Sequence, residues 1–166
     1  VSTSIDSFFF MHYDNYEVNN LIIVPNCFFV PEIIEKRKPL SQNARRSGWE
    51  GCNILLKQIP NFAKIPIIKN KIVLDRKNIC KEYNKIYSLQ TNSFESRGWL
   101  FDILGCIERL NSTFTLKQMY KFVEELKAKH PTNNNVEAKI RQQLQFLRDK
   151  GFIDFSSRGS YKKIGI

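Results

Sequence analysis

The sequence predicts a mixed fold: an α/β first part, then a smaller α+β unit built as a winged helix. Three observations predict it. The last third, Val136 to Lys163, joins an amphipathic stretch directly to a short basic hairpin. Residues 96–166 as a whole follow the order helix, short strand, helix, turn, helix, hairpin. Residues 1–95 have another texture, with short β-type runs broken by turns and one helix at the end.

In the first part the expected strands are Phe8 to Tyr13, Val18 to Val24, Cys27 to Val30, Ile65 to Ile68 and Lys71 to Leu74. Pro25, Pro31, Pro39, Pro60 and Pro66 punctuate them. Asn70-Lys71 fits a hairpin turn, and Asp75 fits the N-cap of a helix running from Arg76 to about Leu89. Lys36 to Arg46 is basic and lacks an apolar period, so it reads as an exposed loop. Phe8-Phe9-Phe10-Met11 reads as a core strand, and the chain opens Val1-Ser2. A core strand so near residue 1 gives the expectation that a larger domain has been cut. Gln90 to Ser96 is polar and unpatterned, the expected linker between domains at 1–95 and 96–166.

Past the linker, Trp99, Leu100, Ile103, Leu104, Ile107 and Leu110 form one apolar helix face. A strand is expected near Phe114. Thr115 suits the N-cap of a second helix carrying Leu116, Met119, Tyr120, Val123 and Leu126. His130-Pro131 ends that helix, and Thr132 to Asn135 forms a turn able to cap the third. There Val136, Ile140, Leu144 and Leu147 recur at spacings of 4, 4 and 3, an apolar stripe on a helix. Gly151 stops it. Phe152 to Phe155, a Ser-Ser-Arg-Gly turn and Tyr161 to Ile164 make the hairpin.

Composition narrows the function classes. With 42% hydrophobic and 13% aromatic residues, 7 Gly and 6 Pro, the chain can build a core. Its 26 Lys and Arg against 16 Asp and Glu leave +10, a surplus that attracts polyanions. No apolar run reaches the length of a membrane span, and the start lacks the pattern of a signal peptide. The expected home is the cytoplasm, with no membrane partner. Cys27, Cys52, Cys80 and Cys106 stand singly, so reduced packing residues are expected rather than disulfides or a zinc site.

The outward positions near the start of the third helix carry the chemistry. Arg141 pairs well with guanine edges, and Asn134, Gln142 and Gln145 with adenine edges. Arg148 and Lys150, further along, suit phosphates, while Arg158, Tyr161, Lys162 and Lys163 place a wing on the backbone or minor groove. A second candidate is Arg45-Arg46-Ser47-Gly48-Trp49, where guanidiniums hold phosphates and the indole stacks on a base. The competing reading is a tryptophan that plugs the core. Catalytic signals are weak. The only Asp-x-Lys is Asp75-Arg76-Lys77, with isolated Glu32 upstream, and there are too few histidines for a hydrolytic triad.

The run Arg45-Arg46-Ser47-Gly48-Trp49-Glu50-Gly51-Cys52-Asn53-Ile54 resembles one in the DpnI-type restriction endonucleases, also called dam-replacing proteins. So do Phe8-Phe9-Phe10, Glu17-Val18-Asn19-Asn20 and Arg37-Lys38-Pro39-Leu40. Ser96-Arg97-Gly98-Trp99, Phe114-Thr115-Leu116, Met119-Tyr120, Lys139 to Gln145, Leu147 to Lys150, Arg158-Gly159 and Tyr161 extend the similarity nearly end to end. The resemblance implies a PD-(D/E)xK nuclease fold, present here as its C-terminal part, followed by a winged helix. It implies cutting of double-stranded DNA at GATC with N6-methylated adenine, both domains reading the site. The family's zinc-binding cysteines and its catalytic Asp, Glu and Lys fall before the position matching residue 1. The family residue that packs on the methylated adenine corresponds to Trp49.

The resemblance therefore sets the expectation of a methyl-directed DNA-binding part, monomeric, inactive as a nuclease by itself and holding no cofactor. Mg2+ is expected for the full-length enzyme. Without its central neighbours the first part is expected to leave an open sheet edge. The alternative is a non-enzymatic regulator built on the same winged helix. A third reading, a nuclease centred on Glu32, Asp75 and Lys77, predicts cutting that Asp75→Asn abolishes.

Overall fold

The computed structural model describes residues 6–91, 93–164 and 166. A hairpin comes first. β1 (Ser7–Asp14) and β2 (Glu17–Pro25) pair antiparallel from Ser7 against Pro25 to Asp14 against Glu17. They turn through Asn15 and Tyr16, both at positive φ (49° and 63°), the left-handed pair that suits the twist of a two-residue hairpin turn. β3 (Ile34–Lys36) pairs with β4 (Cys52–Ile54) as a separate two-stranded ribbon. β5 (Ile65–Lys69) and β6 (Ile72–Val73) complete the first sheet, whose order is β1-β2-β5-β6, antiparallel throughout. Asn70 and Lys71 join these two at φ 50° and 67°, the turn that the dipeptide predicts.

β1 lies at an edge of this sheet, and Phe9, Met11 and Tyr13, alternate residues on one face of it, are exposed. One expected strand is absent. Asn26–Phe28 forms a 3-10 turn in the place of a strand from Cys27 to Val30. Pro25 at the end of β2 has no N–H to continue a ladder. Cys27, Phe28 and Val30 are nonetheless buried, because the turn packs against the helix at Phe94–Glu108. A short apolar run does not by itself distinguish a strand from a buried turn.

α1 (Arg76–Tyr87) starts where Asp75 accepts the Asn78 N–H at 3.0 Å. α2 (Phe94–Glu108) starts earlier than its apolar pattern indicates, since the Ser93 hydroxyl accepts the Ser96 N–H at 3.1 Å. The polar linker is therefore shorter than Gln90 to Ser96. Trp99, Ile103, Leu104 and Ile107 are wholly buried.

β7 (Thr113–Thr115) leads into α3 (Leu116–Met119), whose start is a capping box between Thr115 and Gln118. A 3-10 segment, Tyr120–Phe122, separates α3 from α4 (Val123–Lys129), so the single second helix expected from sequence is broken. Met119 and Leu126 stay buried on either side. α5 (Val136–Asp149) follows a turn, then β8 (Ile153–Ser157) and β9 (Ser160–Lys163). Their sheet has the order β7-β9-β8. Helix, strand, helix, turn, helix, hairpin is thus the order observed.

The core is continuous across residue 95. Phe62 meets Phe28 at 5.8 Å on one side and Phe152 at 5.8 Å on the other. The Asn61 N–H donates to Glu108 at 2.7 Å. Asp102, 5% exposed, accepts from Lys129 and pairs with His130 Nε2 at 2.8 Å, while the His130 ring stacks on Trp99 at 4.0 Å. That buried cluster ties the turn before α5 to α2.

Candidate nucleic-acid interface

The start of α5 is built by two asparagines and a backbone carbonyl. The Asn133 N–H donates to the His130 carbonyl at 3.0 Å, and Asn133 Oδ1 accepts the Asn135 N–H at 2.9 Å. Asn135 then caps the helix by accepting the Ala138 N–H at 3.1 Å. Asn134, exposed, and Gln142 line an open depression beside this cap. Val136, Ile140, Leu144 and Leu147 face the core, which leaves Arg141, Gln142 and Gln145 on one exposed strip. Gln143, between them in sequence, is buried.

The cations of this surface are held, not free to wander. Arg141 donates to the Tyr120 hydroxyl and lies 3.8 Å from Glu137. Both charges of that pair are about half exposed, so it is worth well under about 1 kcal/mol and yields readily to a phosphate or base. Arg148 donates through Nε and Nη2 to one oxygen of Asp149 at 2.9 and 2.6 Å, and its guanidinium sits 4.9 Å from the Phe155 ring. Tyr120 and Phe155 carry no local signal of this role, because the contacts reach across 21 residues in one case and from helix to strand in the other.

The wing departs from expectation at two residues. Tyr161 is only 5% exposed, its ring lying between Phe114 (5.4 Å) and Phe155 (4.9 Å) in a cross-strand row. Burial pushes its phenol pKa up, Tyr120 adds to this, and Arg148 and Arg141 oppose it. The ring is core, and the hydroxyl belongs with the α5 cations. Lys163 turns inward and donates to the Leu110 carbonyl at 2.8 Å. Arg158 and Lys162 remain exposed, as does Lys150 at the end of α5.

The second surface extends the β3–β4 ribbon. Arg37 N–H donates to Gly51 O at 2.9 Å, Leu40 N–H to Trp49 O at 3.0 Å, and Gly48 N–H to Leu40 O at 3.2 Å. The expected loop is thus a hairpin tip, closed by Gly48 at φ +76°. Arg45 and Arg46 are exposed on it, and Trp49 is 51% exposed. The tryptophan does not plug the core. Its fellow Trp99 does, at 0%.

The residues considered for a nuclease centre do not assemble. Asp75 is engaged as the α1 cap, and Glu32 lines a cleft with Asp102, Arg109 and Glu125. Among the described residues no three His, Cys, Asp or Glu side chains come together to hold a metal. No cleavage step is assigned to these residues. Nor, among the described residues, is any helix long and apolar enough to cross a membrane.

Comparison with known families agrees with this geometry. Residues 2–92 match the family described as the Dam-replacing family, and residues 95–163 match the Dam-replacing HTH domain. The chain belongs to the Dam-replacing family. It is a DNA-binding protein of a restriction-related family, with DNA as the partner of its helix–turn–helix part. α5, after the turn at residues 130–135, occupies the place of the reading helix in that motif.

Proposed function

We propose that this chain is the DNA-reading part of a methyl-dependent type II restriction endonuclease, recognising GATC whose adenine carries an N6-methyl group. In this reading residues 1–95 are the C-terminal part of a PD-(D/E)xK nuclease-like domain and residues 96–166 a winged helix. Arg141, Gln142 and Gln145 contact base edges, with Asn134 at the helix start. Arg148, Arg158 and Lys162 hold phosphates, and Arg45 and Arg46 anchor the hairpin tip beside the base that Trp49 meets.

The observation that carries the reading is the half-exposed indole of Trp49 on a tip bearing two exposed arginines. A large apolar ring left in water beside cations suits a flat, apolar ligand attached to phosphates. Burying one methyl against it contributes about 0.8 kcal/mol, roughly a fourfold preference. The test is a pair of duplexes differing only in adenine methylation, titrated with the 166-residue chain. The methylated duplex binds several-fold tighter, and Trp49→Ala brings the two affinities together. Equal affinity for both duplexes in the parent chain overturns the reading. In this reading the chain binds the methylated duplex and leaves it intact when Mg2+ is present.

A further inference from the structure

The hairpin tip contains a glycine whose lack of a side chain has a structural consequence. Trp49 and Gly51 are two apart on the same arm of the extended ribbon, so their side-chain positions fall on one face. A Cβ placed on Gly51 would lie 2.8 Å from Trp49 Cη2 and 2.9 Å from Cζ3, with Arg37 Cδ at 3.7 Å. No real Cβ sits so close to a ring carbon. The outer edge of the indole therefore rests in the space that a side chain at residue 51 would fill.

The backbone under the ring is not free to give way. Gly51 O accepts from Arg37 N–H at 2.9 Å, Trp49 O accepts from Leu40 N–H at 3.0 Å, and Glu50 between them pairs with Lys36 at 2.6 Å. The ring rests there without being enclosed, since Trp49 is half exposed, and can be displaced into solvent. A side chain at position 51 is thus accommodated by displacing the indole and not by unfolding the ribbon.

We propose that Gly51 is a positioning residue for methyl discrimination: its missing Cβ lets the Trp49 indole lie down on the hairpin and present a fixed apolar surface. This rests on the reading of Trp49 given above. A ring held in one place meets a methyl group without first losing its rotamer freedom, whereas a ring pushed off the ribbon loses the contact. Gly48, the other glycine of the tip, differs in kind. It has φ +76° and, its chain neighbours Ser47 and Trp49 apart, nothing within 4 Å of a built Cβ, so a substitution there strains the turn and fills no space that another part of the ribbon occupies.

The experiment compares Gly51→Ala, Gly48→Ala and Trp49→Ala in the 166-residue chain by two readouts. One is the ratio of affinities for methylated and unmethylated GATC duplexes. The other is acrylamide quenching of tryptophan fluorescence in the free protein, which reports Trp49 because Trp99 is 0% exposed. Gly51→Ala is expected to bring the ratio below about twofold and to raise quenching. Gly48→Ala is expected to keep both near the parent. A Gly51→Ala variant with the parent's ratio and quenching overturns the inference. So does a Gly48→Ala variant that loses the ratio as fully, since loop order would then be the cause. If Trp49→Ala keeps the parental ratio, the reading of Trp49 falls first and the inference with it; if only Gly51→Ala keeps it, that reading stands alone.

Discussion

Trp49 and Trp99 show how little residue type decides at the scale of one side chain. The first is 51% exposed on a hairpin tip and the second 0% exposed under His130. The residues alone favoured a core plug for Trp49 and the family resemblance a base contact; its exposure on the tip rules out the plug. The cysteines divide in the same way. Cys27 and Cys106 are buried, and desolvation pushes their thiols up to about 12. Cys52 and Cys80 are exposed. Thiolate is the reactive form, so a neutral disulfide reagent at pH 8 is expected to label Cys52 and Cys80 first and Cys27 and Cys106 only on denaturation. Mass spectrometry of the labelled peptides checks the order, and early labelling of Cys27 or Cys106 would contradict the burial described. Sequence took all four as packing residues, which the structure corrects for the exposed Cys52 and Cys80.

Among elements, α5 carries the most, and its start was legible. Asn135 caps it through a bond three residues long, and such local bonds need no knowledge of the fold. Asp75 and Thr115 were legible as caps for the same reason. Asn135→Ala should destabilise the protein by about 1 kcal/mol, seen as a lower thermal midpoint. It should also loosen DNA binding, because the proposed function sets the residues at the helix start against the bases. At the other end, Arg148→Ala should weaken binding to all sequences alike and reduce the slope of log affinity against log salt by about 1. An unchanged slope would mean that Arg148, gripped by Asp149 and Phe155, never reaches a phosphate. What sequence did not show in these elements was the break at Tyr120–Phe122 and the turn at Asn26–Phe28. Apolar periodicity runs through both, and it does not register which hydrogen-bond ladder the backbone follows.

In the molecule as a whole, the two parts that differ in texture share one core. Phe62 and Phe152 meet across them, and Asn61 bonds to Glu108. Phe152 is 0% exposed, so Phe152→Ala is expected to cost about 3–5 kcal/mol and to lower the stability of both parts together. Tryptophan fluorescence and far-UV circular dichroism should then move through one coincident transition. Two separate transitions, with only one displaced, would show that the shared core contributes little. Among the described residues β1 lies at the edge of its sheet and presents Phe9, Met11 and Tyr13 to solvent. The positive balance of +10 acts at this scale too, drawing DNA toward the molecule before any contact is made.

The sequence by itself determined what neighbouring residues settle among themselves: the turn at Asn70-Lys71, the caps at Asp75, Thr115 and Asn135, the buried stripe of α5 and, by difference, its exposed Arg141, Gln142 and Gln145. Tertiary structure decided whatever depends on distant partners. Tyr161 is core because Phe114 and Phe155 flank it across the sheet, and Lys163 is turned inward because the Leu110 carbonyl lies within reach. Trp49 stays in water because its ribbon stands away from the core, with Gly51 leaving room beneath the ring. Capping and turn formation involve energies within one stretch of backbone, whereas burial is a property of where the rest of the chain goes.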